Sequence, residues 1–269
     1  MNLIRVFPSK TAATPDDDMA FVGLPPDEIP VASEIRISVT FSWDIPEADR
    51  LAKAWSRFGL PITVGGPALG DRGDDFVPGR YLKRGYVITS RGCPNACWFC
   101  DVHRREGGIR ELPVTDGWNV LDSNLLACSP THLDAVFAML ARQPHRPVFT
   151  GGLEHKLVTP AIARRLREIK TDRMFLAYDT PDDLEPLRQA GRILQDAGFT
   201  RTHHLHAYVL VGFPKDSCEA AEKRCREAWD AGFHPMAMLW RDPRADDWGK
   251  FARKWARPAI TRKYLEERK

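Results

Sequence analysis

Cysteine is scarce in this chain, six in 269 residues, too few and too uneven for a disulfide scaffold. There is no long hydrophobic run of membrane-spanning length. The opening Met1-Asn2-Leu3-Ile4-Arg5 lacks the long apolar segment of an export signal, so the expected location is the reducing cytoplasm. Neither sign of charge dominates. With 39 basic and 36 acidic residues, a net charge of +3 describes a mixed surface and gives no strong nucleic-acid signal. What is present is a 43% hydrophobic composition, enough for a core in one large domain, or one large and one small.

Half of the cysteines sit together in Cys93-Pro94-Asn95-Ala96-Cys97-Trp98-Phe99-Cys100. This is a C-x3-C-x2-C run. Three thiolates at that spacing can hold three corners of an iron–sulfur cube. A four-iron cluster ordinarily takes four cysteines, and no fourth lies nearby, so one iron would keep an open position of the kind at which metal chemistry is done. The competing expectation is zinc, with Cys97, Cys100 and His103 as the set to consider, although zinc loops usually show paired C-x2-C units. Cys128 stands alone. Cys218 and Cys225 are seven apart, the spacing of one helix face turned to a core.

The cysteine run, with its aromatic Phe99 before the last cysteine, resembles the cluster loop of the radical S-adenosylmethionine (radical SAM) enzymes. That resemblance implies a [4Fe-4S] cluster on Cys93, Cys97 and Cys100, and S-adenosyl-L-methionine (SAM) chelated to the open iron through its amino and carboxylate groups. It implies reductive cleavage of SAM to a 5′-deoxyadenosyl radical that abstracts hydrogen from a substrate, with electrons from a flavodoxin- or ferredoxin-like donor. Phe99 would pack near the adenine. Three alternatives remain: a SAM-dependent radical methyl- or methylthio-transferase, an iron–sulfur electron-transfer or sensing module without catalysis, and a zinc-binding structural protein.

The rest of the chain reads as α/β. Residues 1–66 form a small, truncated Rossmann-like βαβ unit. Leu3–Phe7 is a short strand, and 8–30, rich in proline and aspartate, is irregular. Ile35, Ile37, Val39 and Phe41 alternate with polar residues as a strand. Pro46 and Glu47 open a helix that buries Leu51, Ala52, Trp55 and Phe58 and stops at Gly59. Pro61–Val64 is the next strand, running into Gly65-Gly66-Pro67. This unit resembles the latter half of a cobalamin-binding domain, but it is short and has no Asp-x-His-x-x-Gly. Asp101-Val102-His103 with Gly107 has the wrong spacing and place, so cobalamin is not expected. Residues 67–80 are a linker.

Across 81–245, strands alternate with helices: Tyr86–Ser90, Trp118–Leu121, Pro147–Thr150, Met174–Tyr178, His204–Val211 and Pro235–Arg241. Ser129-Pro130 and Thr159-Pro160 mark helix starts. Six such units predict an incomplete (β/α)6 barrel of parallel strands, the count that the resemblance also implies. A C-terminal helix and basic tail fill 246–269. In β/α barrels, active sites lie at the carboxyl ends of the strands, where the cysteine loop falls.

Each strand end offers candidates. By the resemblance, either the Asp122–Asn124 loop, through Asp122 or Asn124, or the Gly151–Glu154 loop holds the SAM amino group, and Asp179 lies near the ribose. Gly212-Phe213-Pro214 lines the adenine through its backbone. Gly151-Gly152-Leu153-Glu154 resembles the family's Gly-Gly-Glu motif with an inserted leucine, one strand later than usual. The bland alternatives are turn and cap residues. His204, His206 and Tyr208 alternate toward the expected lumen, where they could touch substrate or move a proton. Arg241 could bind a carboxylate.

Overall fold

The computed structural model describes residues 2–201, 203–240, 248–255 and 258–266. The N-terminal part holds β1 (Leu3–Phe7), β2 (Ala20–Val22), β3 (Glu34–Ser38), α1 (Ile45–Trp55) and β4 (Ile62–Gly65). These strands make one parallel sheet in the order β2-β1-β3-β4. The alternation in β3 does what it predicts: Ile35 and Ile37 are buried with Ile4, Val6, Leu51 and Trp55 in one apolar cluster. Proline opens α1, and Gly59, at φ 68°, ends the turn that follows it. Trp55 is fully buried and its indole N–H donates to the Gly23 carbonyl at 3.1 Å.

The expectation of an irregular 8–30 is corrected by β2. This strand is three residues long, half-exposed and at a sheet edge, so it carries no apolar alternation to read.

The second part continues with β5 (Tyr86–Val87), β6 (Ser90–Arg91), α2 (Val102–Arg105), β7 (Arg110–Glu111), β8 (Asn119–Val120), α3 (Pro130–Ala141), β9 (Val148–Leu153) and α4 (Pro160–Glu168). After these come β10 (Arg173–Tyr178), α5 (Leu184–Asp196), β11 (Leu205–Val211), α6 (Cys218–Asp230), β12 (His234–Leu239), α7 (Trp248–Trp255) and α8 (Pro258–Glu266). Six strands form an open parallel sheet in strict chain order, β5-β8-β9-β10-β11-β12. The helix α8 lies where only a basic tail was expected.

Helix starts follow the capping rule. The hydroxyls of Ser129, Thr159 and Ser217 each accept an N–H three residues on, at 3.2 Å. Strand register then sorts the side chains by face. Val87, Val120, Phe149, Leu176, Ala207 and Val209 belong to the main apolar cluster with the helices. The other face carries Tyr86, Asn119, Phe175, His206, Tyr208 and His234. It is aromatic and polar, which a face packed under helices would not be. Among the described residues no helix is long and apolar enough to cross a membrane.

Candidate functional site

The strand expected over Tyr86–Ser90 divides. Its sheet part ends at Val87, and Ser90–Arg91 instead pairs antiparallel with Arg110–Glu111. The cysteine loop is therefore the excursion of a small hairpin rooted at the carboxyl end of β5. Gly92 permits that root. A Cβ there would come within 2.1 Å of the Gly108 carbonyl, and φ is 85°. Cys93 N–H donates to the Gly107 carbonyl at 3.1 Å and Cys100 N–H to that of Cys97 at 3.1 Å. Glu106, only 1% exposed, accepts from the Gly92 N–H at 2.9 Å and from Arg105 at 2.6 Å. Burial pushes its carboxyl up, but Arg105, the Gly92 N–H and Arg91 outweigh this and hold it below the ordinary value. Sequence reasoning passed over Glu106 because nothing local marks a glutamate that folds back on its own loop.

Cys93, Cys97 and Cys100 are half-buried free thiols. Burial pushes the Cys97 thiol up, and Cys100 and Cys93 push it further. Burial also raises Cys100, and Cys93 adds to it. Thiolates that repel one another are stabilised by a metal cation. Among the described residues no three His, Cys, Asp or Glu side chains converge as ligands of one metal ion, which holds for Cys93, Cys97 and Cys100 as for Cys97, Cys100 and His103.

Two loops that the sequence left as rivals meet at the cysteines. Asn124, after β8, donates to Glu154 Oε2 at 2.6 Å, and the same amide nitrogen lies 3.4 Å from Cys93 Sγ. Asn95, inside the cysteine loop, donates to that same Glu154 oxygen at 2.9 Å. Asn124 Oδ1 is buried and has no hydrogen-bond partner. Glu154 arrives there through a bulge. From Phe149 to Leu153, β9 advances four residues while its neighbour β10 advances from Met174 to Leu176, so Gly151 and Gly152 are looped out. A Cβ on Gly151 would sit 2.4 Å from the Asp122 carbonyl, and Gly152 has φ 97°. Leu153 turns into the core at 2% exposure, which accounts for the inserted leucine.

Asp122 has a different task from the one expected. It is fully buried, and its carboxylate accepts from Thr89 N–H at 2.7 Å, Thr89 hydroxyl at 2.6 Å and Ser90 hydroxyl at 2.7 Å. No face is left for a ligand. It ties the end of β8 to the root of the hairpin.

Asp179 follows β10 on the parity of Phe175 and Ala177. Burial pushes its carboxyl up to about 7, with Asp183 adding to the shift. Asp183 itself is pulled well below the usual range: burial opposes this, but His155, Thr180 and Lys156 prevail. Between the ordinary carboxylate value of 3.8 and about 7, the folded chain holds a proton on Asp179 that the unfolded chain has released. Asp179's contribution to stability should therefore fall as pH rises through that window and level off above it, against the opposite contribution of His206 and His234, which burial pushes down to about 3 and about 4. Asp179→Asn should remove this contribution, so the stability of wild type relative to the variant should fall from pH 4 to pH 7 and change little by pH 8, as read from urea midpoints at pH 4, 5.5, 7 and 8. A variant that keeps the wild-type slope would contradict the assignment.

Gly212, at φ 75°, ends β11. Its N–H donates to Asp216 Oδ2 at 2.8 Å, and Arg224 joins that oxygen at 2.7 Å and the Leu210 carbonyl at 3.0 Å. Neither Asp216 nor Arg224 was singled out from sequence, since both read as ordinary loop and helix charges. Trp98 of the cysteine loop reaches this turn, 5.6 Å from Phe213 and 5.3 Å from Phe99 between ring centroids.

His206 and Tyr208 stack on Phe175 at 4.9 and 4.7 Å, and the Tyr208 hydroxyl donates to the Thr150 carbonyl at 3.1 Å. His204 does not join them. It precedes β11 and its Nδ1 lies 3.1 Å from the Thr200 hydroxyl. Cys225 is buried as its spacing predicts, but Cys218, at the first turn of α6, is exposed. Arg241 lies outside the described residues. No family model matches the chain, and no curated protein matches it.

Proposed function

We propose that this chain is a radical SAM enzyme of the cytoplasm, folded as an incomplete (β/α)6 barrel, that takes electrons from a small external donor. The observation that carries the reading is the meeting of Cys93, Asn124, Glu154 and Asn95 at the carboxyl edge of the parallel sheet. Strict strand order supports the barrel: right-handed crossovers between successive neighbours put every helix on one face, and the opposite face is the aromatic and polar one.

The residues present suit the groups the reading requires. Cys93, Cys97 and Cys100 would hold three irons of a [4Fe-4S] cluster. When bound, that cluster with SAM on its open iron supplies the electron that cleaves SAM to a 5′-deoxyadenosyl radical. The orphaned Asn124 Oδ1 and the Glu154 carboxylate form an acceptor pair for an ammonium group. Glu154 fixes the cysteine loop through Asn95 and so sets where that ammonium sits. Asp179 would accept from a sugar hydroxyl, and the Gly212-Phe213 turn, which Trp98 of the cysteine loop reaches, would present its remaining backbone groups to the adenine. His206, Tyr208 and Phe175 line the face on which a substrate would lie and keep water from it.

Iron content tests the metal half of the reading. Anaerobic reconstitution should give about four irons and a brown chain, and Cys97→Ala should lose most of both. A colourless wild-type chain carrying one zinc would overturn it.

A further inference from the structure

Between the two sheets lies a cavity of about 470 Å³, the size of a small-molecule site. One wall is the carboxyl edge of the N-terminal sheet, at Ser38, Thr40, Gly65 and Gly66, and the other brings Ile88, Arg91 and Leu121 from the six-stranded part. The strand residues of the first wall come from β3 and β4, among them Arg36, Ser38, Thr63 and Gly65.

The lining states what would fit. Arg91 and Arg36 both line the cavity, and Arg36, 40% exposed, also pairs with Glu34 at 3.2 Å. Arg91 is held tightly: a Cβ on Gly73 would come within 2.7 Å of its Nε and Nη2. Yet its Nε is buried without an acceptor, and its nearest carboxylate partner, Glu106, is 3.9 Å from Nη1. The acids of the lining are already engaged, Asp71 by the Gly73 N–H at 2.8 Å and Asp75 by Arg80 at 3.5 Å. Phe76, Val77 and Leu82 supply apolar lining. The Arg91 side chain is 19% exposed, so the rest of its guanidinium can meet an anion placed in the cavity.

We propose that this cavity binds a small organic anion, its carboxylate or phosphate held between Arg36 and Arg91 and its flat apolar body against Phe76, Val77 and Leu82. Calorimetric titration of the full chain tests it with two pairs of probes: AMP against adenosine, and indole-3-acetate against indole-3-acetamide. At least one anion should bind with Kd below about 1 mM and about tenfold tighter than its neutral partner. The winning pair distinguishes a phosphate from a carboxylate head. Arg36→Gln and Arg91→Gln should each weaken binding about tenfold. Thr63→Trp, which fills the cavity from an exposed strand position, should abolish it while the melting temperature stays near wild type. No anion binding below about 1 mM, equal binding of the neutral partners, or unchanged binding in all three variants would overturn the proposal. The titration needs neither cluster nor reductant, so its outcome is independent of the chemistry proposed for the cysteine loop.

Discussion

Glu154→Ala should lower 5′-deoxyadenosine formation about 100-fold while the chain keeps its iron. The reason is the position of one oxygen. Glu154 Oε2 accepts from Asn124 at 2.6 Å and from Asn95 at 2.9 Å, so its loss frees the cysteine loop from the β8 end and, on the proposed reading, would remove the charge that a SAM ammonium would meet. Each charge-assisted hydrogen bond is worth about 1.5–3 kcal/mol, and two of them correspond to about two to four orders of magnitude in rate, so about 100-fold is the lower end of the loss. Glu154→Gln keeps an acceptor oxygen without the charge and should fall between the two. The check is the initial rate of 5′-deoxyadenosine release under strong reductant, read beside iron content. An unchanged rate in Glu154→Ala would remove this residue from the site.

Asp216→Ala should be among the most destabilising single changes in the chain. The Asp216 and Arg224 side chains are 1% and 10% exposed, and they lie 2.7 Å apart beneath the turn that carries Gly212 and Phe213. Removing one partner leaves the other charge buried alone, which costs about 3–5 kcal/mol. The Gly212 N–H loses its Asp216 acceptor as well. Thermal melts should show a drop of the order of 10 °C. Pairing Asp216→Ala with Arg224→Met should recover part of the loss, because the unpaired guanidinium is then gone. A melt within 2 °C of wild type for the single variant would show the pair to be dispensable, the shift being about that of a 1 kcal/mol change.

Much of the fold was legible because periodic burial writes itself into sequence. Ile35 and Ile37, Leu133 and Val136, and Leu187 and Leu194 fall where their spacing predicts, and the Ser129 and Thr159 caps were readable as Ser-Pro and Thr-Pro starts. What was not legible depended on contacts distant in the chain. Nothing local tells that Asp122 is consumed by Thr89 and Ser90. Nor is it local that Ser90 leaves the sheet to pair with Glu111. The rivalry between Asn124 and Glu154 dissolved for the same reason: 30 residues separate them, and only the bulge at Gly151-Gly152 brings the second to the first. His204 was misplaced by one residue of strand start, which in an alternating pattern decides whether a side chain belongs to the strand at all.

The central claim is that the cysteine loop does SAM chemistry. The most direct measurement is anaerobic: the reconstituted chain with excess dithionite and SAM, assayed by chromatography for 5′-deoxyadenosine, with Cys93→Ala as the control. The wild-type chain should give 5′-deoxyadenosine and methionine in equal amounts and the control neither. A chain carrying a full, reducible cluster that leaves SAM intact would contradict it.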